Sequence, residues 1–164
     1  MKFNKLFLEY RKKYHPLRKG EKITHGLKVS DMNDNTYKLR RNVMNYVYEA
    51  KNLLKKEGID LPRVTVRIVE PTGTLSDFLK KDATKYQPLG IARMGNHDIY
   101  IPNYSALSDA LKLKYIVFHE ILHAIYNIPH TNANNTFLMG ATLKSGHTSE
   151  EIDKDFVKLV HKYK

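Results

Sequence analysis

The stretch YIVFHEILHAIYN, residues 115–127, decides the fold. Apolar side chains surround His119 and His123 and continue upstream at three- and four-residue steps, which is typical of a largely buried helix. Ser105 or Ser108 can cap the start of this helix, because a serine hydroxyl accepts a hydrogen bond from a first-turn amide. The sequence therefore predicts a buried helix that carries two imidazoles.

His119, Glu120 and His123 form an HExxH motif within this helix. Residues four apart project from the same helix face, so both imidazoles can reach one ion, and neutral imidazole suits Zn²⁺ at about 2.0–2.1 Å. Glu120 is placed to take a proton from water held by the metal, whose pKa zinc lowers to about 7. A purely structural pair of core histidines is the alternative. Burying two histidines and a carboxylate without a metal is costly, which favours the metal site.

A catalytic zinc ordinarily has three protein ligands, and His130 is the nearest further candidate. Asn127 tolerates the left-handed backbone conformation that ends a helix and turns the chain back. The following Ile128 and Pro129 would then bring His130 to the metal.

The segment HEILHAIYNIPHTNANNTFLMGATL, residues 119–143, resembles the metzincin clan of zinc endopeptidases, and most of all its matrixin branch. That clan has the pattern HExxHxxGxxH, followed by a methionine in a tight turn. The closing TSEEIDKDFVKLV, residues 148–160, resembles the matrixin C-terminal helix, and the likeness covers about residues 36–164. The resemblance implies metal ligands at His119, His123 and His130, a general base at Glu120 and the turn methionine at Met139.

The chain departs from the family pattern at the third ligand. One extra residue separates the second and third histidines, and Asn127 stands where the family has glycine. One added helical residue turns the exit by about 100°. The alternative third ligand is a glutamate from the last helix, as in gluzincins, because Glu151 followed by Asp155 resembles their pattern. The simpler interpretation is that Glu150 and Glu151 favour the positive N-terminus of that helix.

The resemblance also implies where a substrate would bind. In metzincins an edge strand receives the substrate backbone by strand addition. By that likeness residues 96–101 would line the upper rim of the cleft, and residues 133–142 would shape the pocket for the side chain after the scissile bond. The implied substrate contacts are Asn96, His97, Asp98, Ile99 and Tyr100. For His97 itself, a surface or turn position is the simpler interpretation.

The remaining patterns predict an α+β domain. A helix is predicted over 36–57 with Gly58 just past its end, and a last helix begins at Thr148 or Ser149. Strands are predicted over 63–70, 89–95 and 97–103, with a turn at Gly95-Asn96, and a short helix over 74–81. The predicted fold is a small metzincin-like domain with a mixed sheet, an active-site helix, a methionine turn and a C-terminal helix.

Residues 1–35 form a basic extension ahead of the predicted domain, residues 36–164. Helical spacing of apolar residues predicts an amphipathic helix that ends at Pro16, with irregular chain beyond. Within residues 1–30, nine Lys and Arg stand against two Glu. This segment could engage nucleic acid, another anionic partner or a larger assembly, or cover the cleft and keep the enzyme latent. The alternative is a solvated, lysine-rich surface. The apolar positions that set the helical spacing are Phe3, Leu6, Phe7, Tyr10 and Tyr14.

Composition limits the remaining function classes. The absence of cysteine excludes disulfides and thiolate metal sites, and no segment approaches the roughly 20 apolar residues of a membrane span. Glu9 and Arg11 interrupt what would be the apolar core of a signal peptide, so a cytoplasmic or particle-associated protein is expected. Two hypotheses follow: a zinc-dependent endopeptidase, or a non-catalytic, metal-stabilised binding module tethered by its basic N-terminus.

Overall fold

The computed structural model describes residues 7–10, 22–23, 27–30, 32–71, 90–103, 109–131 and 135–164. Within these residues a six-stranded mixed sheet packs against three helices, so the α+β class predicted from the sequence is confirmed. The strands are β1 (Phe7–Tyr10), β2 (Lys22–Ile23), β3 (Leu27–Val29), β4 (Thr65–Pro71), β5 (Gly90–Arg93) and β6 (Asp98–Pro102). The helices are α1 (Asp34–Lys56), α2 (Ala110–Tyr126) and α3 (Ser149–Tyr163).

The sheet has the strand order β1-β5-β6-β4-β3-β2, with β4 and β6 at its centre. These two strands are parallel, and Val66 and Ile68 of β4 lie opposite Ile99 and Ile101 of β6. All four side chains are buried, which is the environment that β-branched residues favour in a sheet.

A tight turn over residues 94–97 joins β5 to β6, which pair in antiparallel orientation. Gly95 and His97 both have positive φ in this turn, at 79° and 61°. The hairpin predicted around Gly95-Asn96 is therefore confirmed, and His97 is an exposed turn residue.

Helix α1 begins with a capping box in which the Asn33 side chain accepts a hydrogen bond from the Thr36 amide and Thr36 reciprocates. Its buried side faces the core through Val43, Val47, Ala50 and Leu54. Gly58, at φ 73°, follows its C-terminal end as predicted.

Helix α2 is the central helix of the core and is continuously buried from Leu113 to Ala124. It contacts α1 and α3 as well as β5 and β6. Its N-cap is Asp109, whose side chain accepts a hydrogen bond from the Lys112 amide at 2.9 Å. The caps predicted at Ser105 and Ser108 are therefore wrong, and both serines lie outside the described residues. Although α2 is so apolar, none of the described helices is long and apolar enough to cross a membrane.

Helix α3 packs against α2 at the end of the chain. Its N-cap is Thr148, one of the two predicted positions, in a reciprocal capping box with Glu151. The predicted buried side is confirmed, and the ring of Phe156 lies 4.7 Å from that of Phe118 on α2, centroid to centroid. The side chains that form this buried side are Ile152, Phe156, Leu159 and Val160.

The N-terminal extension does not form the predicted amphipathic helix over residues 7–10. These residues form β1, which pairs in parallel with β5 at the edge of the sheet. The local pattern is helical, but pairing with an open sheet edge overrides such a preference, and Phe and Tyr also suit strands. Because β2 and β3 join the same sheet, the predicted boundary between residues 35 and 36 does not separate two structural units. The short helix predicted over residues 74–81 lies outside the described residues.

Candidate metal centre

Three histidines converge beside the sheet. His119 and His123 lie one turn apart on α2, and His130 approaches them from the chain that follows the helix. The Nε2 atom of His119 lies 3.0 Å from that of His123 and 3.3 Å from that of His130. His119 and His123 are fully buried and His130 is half-buried. The structure thus brings together the three ligands predicted from the sequence, and this cluster can hold a metal ion.

Backbone carbonyls orient the two helical imidazoles. The Nδ1 atom of His119 lies 2.5 Å from the carbonyl oxygen of Leu138, and that of His123 lies 2.6 Å from the carbonyl oxygen of Ile128. A carbonyl oxygen only accepts hydrogen bonds, so both Nδ1 atoms carry the hydrogen and both Nε2 atoms present lone pairs. Two such lone pairs facing each other repel unless a cation lies between them. The tautomers are therefore those of metal ligands.

The spacing of the nitrogens fits a small divalent ion. Nitrogens placed tetrahedrally at about 2.0–2.1 Å from Zn²⁺ are separated by roughly 3.3–3.4 Å. The two Nε2 separations from His119, 3.0 and 3.3 Å, are close to this value. Burial lowers the pKa of His119 well below its usual 6.5, and the neighbouring His123 lowers that pKa further. At neutral pH His119 is thus in the neutral form that binds metals.

The chain turns towards His130 at the C-terminal end of α2. Asn127 adopts the predicted left-handed conformation, with φ 55° and ψ 35°. The Ile128 amide donates to the Leu122 carbonyl oxygen, six residues earlier, at 3.2 Å, whereas an α-helical bond spans four. This six-residue hydrogen bond beside a left-handed residue is the Schellman motif that commonly ends helices. Asn127 takes the left-handed position where the metzincin pattern has glycine.

A tight turn that contains Met139 supports the cluster. The Gly140 amide donates to the Phe137 carbonyl oxygen at 3.0 Å, and Met139 is fully buried within this turn. The carbonyl of Leu138 in the same turn is the partner of His119. The carbonyl of Met139 accepts a hydrogen bond from the Thr131 amide at 2.8 Å, which ties the turn to the chain just after the third histidine.

Asp155 of α3 fixes this turn, and sequence analysis missed that role. The side chain is buried, and its Oδ2 atom accepts hydrogen bonds from the amides of Phe137 and Leu138 at 3.1 and 2.8 Å. The carboxylate therefore holds Leu138 by its amide, and the carbonyl of the same residue orients His119. The only sequence signal was an acidic residue among the buried positions of an amphipathic helix, since buried carboxylates have hydrogen-bonded partners.

Glu151, the alternative third ligand, does not join the cluster. Its carboxylate accepts a hydrogen bond from the Thr148 amide at 3.0 Å, and its own amide donates to the Thr148 hydroxyl at 3.1 Å. Hydrogen bonds to the carboxylate, first from the Thr148 backbone and then from the Thr148 and His147 side chains, lower the pKa of Glu151. Glu151 is exposed, and its place is at the N-terminus of α3. In the described chain the third side chain beside His119 and His123 is His130.

Glu120 is fully buried directly beneath strand β5. A Cβ atom built on Gly90, the first residue of β5, would lie 2.6 Å from Oε2 and 2.8 Å from Cγ of Glu120. The backbone of β5 therefore lies against the carboxylate, and only glycine permits this approach. Sequence analysis missed Gly90, although a glycine in a strand is a known sign of close backbone approach.

Residues 96–100 do not form the edge strand that the metzincin resemblance implies. Strand β6 pairs with β4 on one side and β5 on the other, so its backbone cannot receive a further strand. Asp98, Ile99 and Tyr100 are fully buried, and the Tyr100 hydroxyl donates to Asp98 at 2.5 Å. Asn96 and His97 belong to the turn between β5 and β6. Strand β5 pairs with the side of β6 that faces away from β4, so β6 is an interior strand. The sequence predicted both strands but not this arrangement.

A cavity of about 280 Å³ lies beside the first half of α2. Its walls include Tyr115, one turn before His119, and residues 143–147. The ring of His147 stacks on that of Phe137 with centroids 3.5 Å apart. The described residues 135–142 of the segment expected to shape a substrate pocket do not line this cavity, and residues 132–134 lie outside the described chain.

Comparisons with protein-family models, with curated proteins and with solved structures found no match for this chain. The resemblance to the metzincins therefore rests on the motif, its spacing and the position of Met139.

We expect Asp155→Ala to weaken metal binding. Loss of the acceptor for two turn amides should lower the free energy of unfolding by about 1–3 kcal/mol and the affinity for Zn²⁺ by about 10- to 100-fold. Chelator competition measures the affinity. Leu159→Ala is the control, because it removes a buried side chain of the same helix but no acceptor for the turn amides. Equal zinc affinities for Asp155→Ala and the wild type would show that the turn does not position His119.

We also expect Gly90→Ala to be destabilising only because of Glu120. The added methyl group should lower the free energy of unfolding by about 1–3 kcal/mol in the wild type. Most of that loss should disappear in a Glu120→Ala background, where the colliding carboxylate is gone. An exposed Glu150→Ala background is the control and should leave the loss unchanged. Additive losses in all backgrounds, measured by denaturant unfolding, would contradict the contact.

Proposed function

We propose that this protein is a zinc-dependent endopeptidase that hydrolyses peptide bonds in peptides or proteins. The observation that carries the proposal is the convergence of the imidazoles of His119, His123 and His130. The buried Glu120 follows the first of them directly on α2. His119, His123 and His130 would hold the ion, and Glu120 would act as the base. Three protein ligands are the number that catalytic zinc sites use, because the fourth position is left for water or substrate.

The donor set favours zinc among the biological metals. Imidazole nitrogen suits Zn, Cu, Fe and Ni, whereas Mg and Ca prefer oxygen ligands. The separations from His119 of 3.0 and 3.3 Å suit tetrahedral coordination, which zinc adopts readily. When bound, the ion would lower the pKa of a water molecule to about 7 and polarise the substrate carbonyl.

The side chains of the protein would supply the proton transfers. Glu120 takes the proton from the attacking water while the water oxygen bonds to the carbonyl carbon. The C–N bond then breaks, and the same carboxyl group returns the proton to the leaving amine nitrogen. The carbonyls of Leu138 and Ile128 keep both helical imidazoles in the ligating tautomer throughout.

Strand β1 is placed to act as an internal substitute for a peptide substrate. The proposed base lies against Gly90 of β5, and the outer edge of β5 is paired with β1, with Phe7 opposite Gly90. A peptide that bound by strand addition beside Glu120 would use this same edge. We therefore propose that residues 7–10 keep the site latent until they are displaced.

The central test compares the wild type with Glu120→Gln, which is nearly isosteric and keeps the contact with Gly90. We expect both proteins to bind one zinc ion and, once β1 has been released from both, the variant to cleave a peptide library about 10²- to 10⁴-fold more slowly. Metal content and cleavage products are measured by mass spectrometry. Glu150→Gln, exposed on α3, is the control and should cleave like the wild type.

Two results would overturn the proposal. Equal cleavage by the wild type and Glu120→Gln would remove Glu120 as the base. A wild type that binds zinc but cleaves no peptide, even after release of β1, would favour the metal-stabilised binding module instead.

Release of β1 should activate the enzyme. A recognition site for a specific protease, inserted after His15, allows the protein to fold whole before the first segment is cut away. We expect the value of kcat/KM to rise after the cut while the bound zinc is unchanged, and a synthetic peptide of residues 1–15 to inhibit the cut protein. Unchanged activity would show that β1 does not block the site.

A further inference from the structure

A basic groove lies between α1 and the beginning of β4, lined by neither α2 nor α3. Its volume is about 630 Å³, within the range of pockets that bind small molecules. Four cationic residues line it, and none of its lining residues is acidic. The cationic residues are Arg40, Lys51, Arg63 and Arg67. Such a lining favours an anionic ligand that carries more than one negative charge.

The groove is also lined by an aromatic side chain, that of Tyr48. Tyr48 lines the groove with 57% of its surface exposed, and Met44 lies one turn before it on α1. A large exposed ring beside cations provides a flat apolar face for a planar group, which a simple anion does not need. The groove therefore offers positive charge together with an exposed ring on which a planar group could stack.

The same combination continues along the exposed side of α1. At three- and four-residue steps the helix presents Tyr37, Arg41, Met44, Tyr48 and Lys51, which therefore share one face. Tyr37 is 55% exposed, so two of the four large hydrophobic residues exposed in the described chain lie on this face. The two tyrosines are eleven positions apart, which corresponds to about 16 Å of helix, so a ligand that used both would be an extended chain.

We propose that this groove and the adjoining face of α1 bind single-stranded nucleic acid. Proteins that bind single strands combine a positive groove along the phosphates with aromatic rings on which bases stack. A duplex is read by an element that protrudes into its groove, whereas this site is a recess. An acidic peptide would match the charge but would leave the exposed tyrosines without a stacking role.

The experiment uses the full-length, zinc-loaded protein and a fluorescently labelled 15-nucleotide single strand of mixed sequence. Four phosphate contacts predict that the logarithm of the association constant falls with the logarithm of salt concentration with a slope of about −3. Tyr48→Ala should weaken binding by about 5- to 150-fold with the salt slope unchanged, since it removes stacking and no charge. Arg40→Gln combined with Arg63→Gln should weaken binding and bring the slope closer to zero by about 1.4.

The matched control removes two positive charges elsewhere. Lys154→Gln combined with Lys162→Gln, both exposed on α3, lowers the net charge by the same amount and should leave affinity and slope nearly unchanged. Equal losses in the two double variants would show that net charge alone attracts the strand and would overturn the proposal. So would binding of a 15-base-pair duplex, or of poly-glutamate, as tightly as the single strand. Tyr48→Ala with wild-type affinity would also contradict it.

Discussion

Two hydrogen bonds from imidazole Nδ1 atoms to backbone carbonyls govern the candidate site. They fix the tautomer of His119 and His123 and aim both Nε2 atoms at one point. Neither carbonyl belongs to a regular element, since Leu138 lies in the turn and Ile128 in the helix exit. The irregular chain around α2 is therefore as necessary to the site as the helix, and Asp155 holds its more distant part in place.

The site is built into α2, the most apolar of the described helices, and this location has an energetic consequence. His119, Glu120 and His123 are fully buried, and burying polar and charged groups costs free energy that their partners must offset. A cation would offset that cost and couple metal binding to the stability of the fold. The close approach of Gly90 in β5 shows that the sheet is fitted around the carboxylate as well as around the apolar core.

Local patterns predicted the helices and the ligand triad because the determining information is local. The HExxH spacing lies within one helix, and Asn127 alone indicated the left-handed exit. The pairing of strands that are distant along the chain could not be predicted from the sequence. Residues 7–10 have a helical pattern but form a strand because they pair with the edge of β5. Strand β6 is an interior strand because β4 and β5 pair with its two sides. The roles of Gly90 and Asp155 depend on which segments meet in space, and spacing along the chain does not encode that.

The pairing of β1 with β5 also bears on how the domain assembles. Phe7 is opposite Gly90, so β1 pairs with a strand that lies far along the chain and is synthesised much later. Closing such a long loop is entropically unfavourable, and topologies with distant contacts fold slowly. The hairpin β5–β6 and its contacts with α2 involve much nearer residues and are available earlier. The outer edge of the sheet is therefore expected to form last in folding and, in reverse, to open first when the native protein fluctuates.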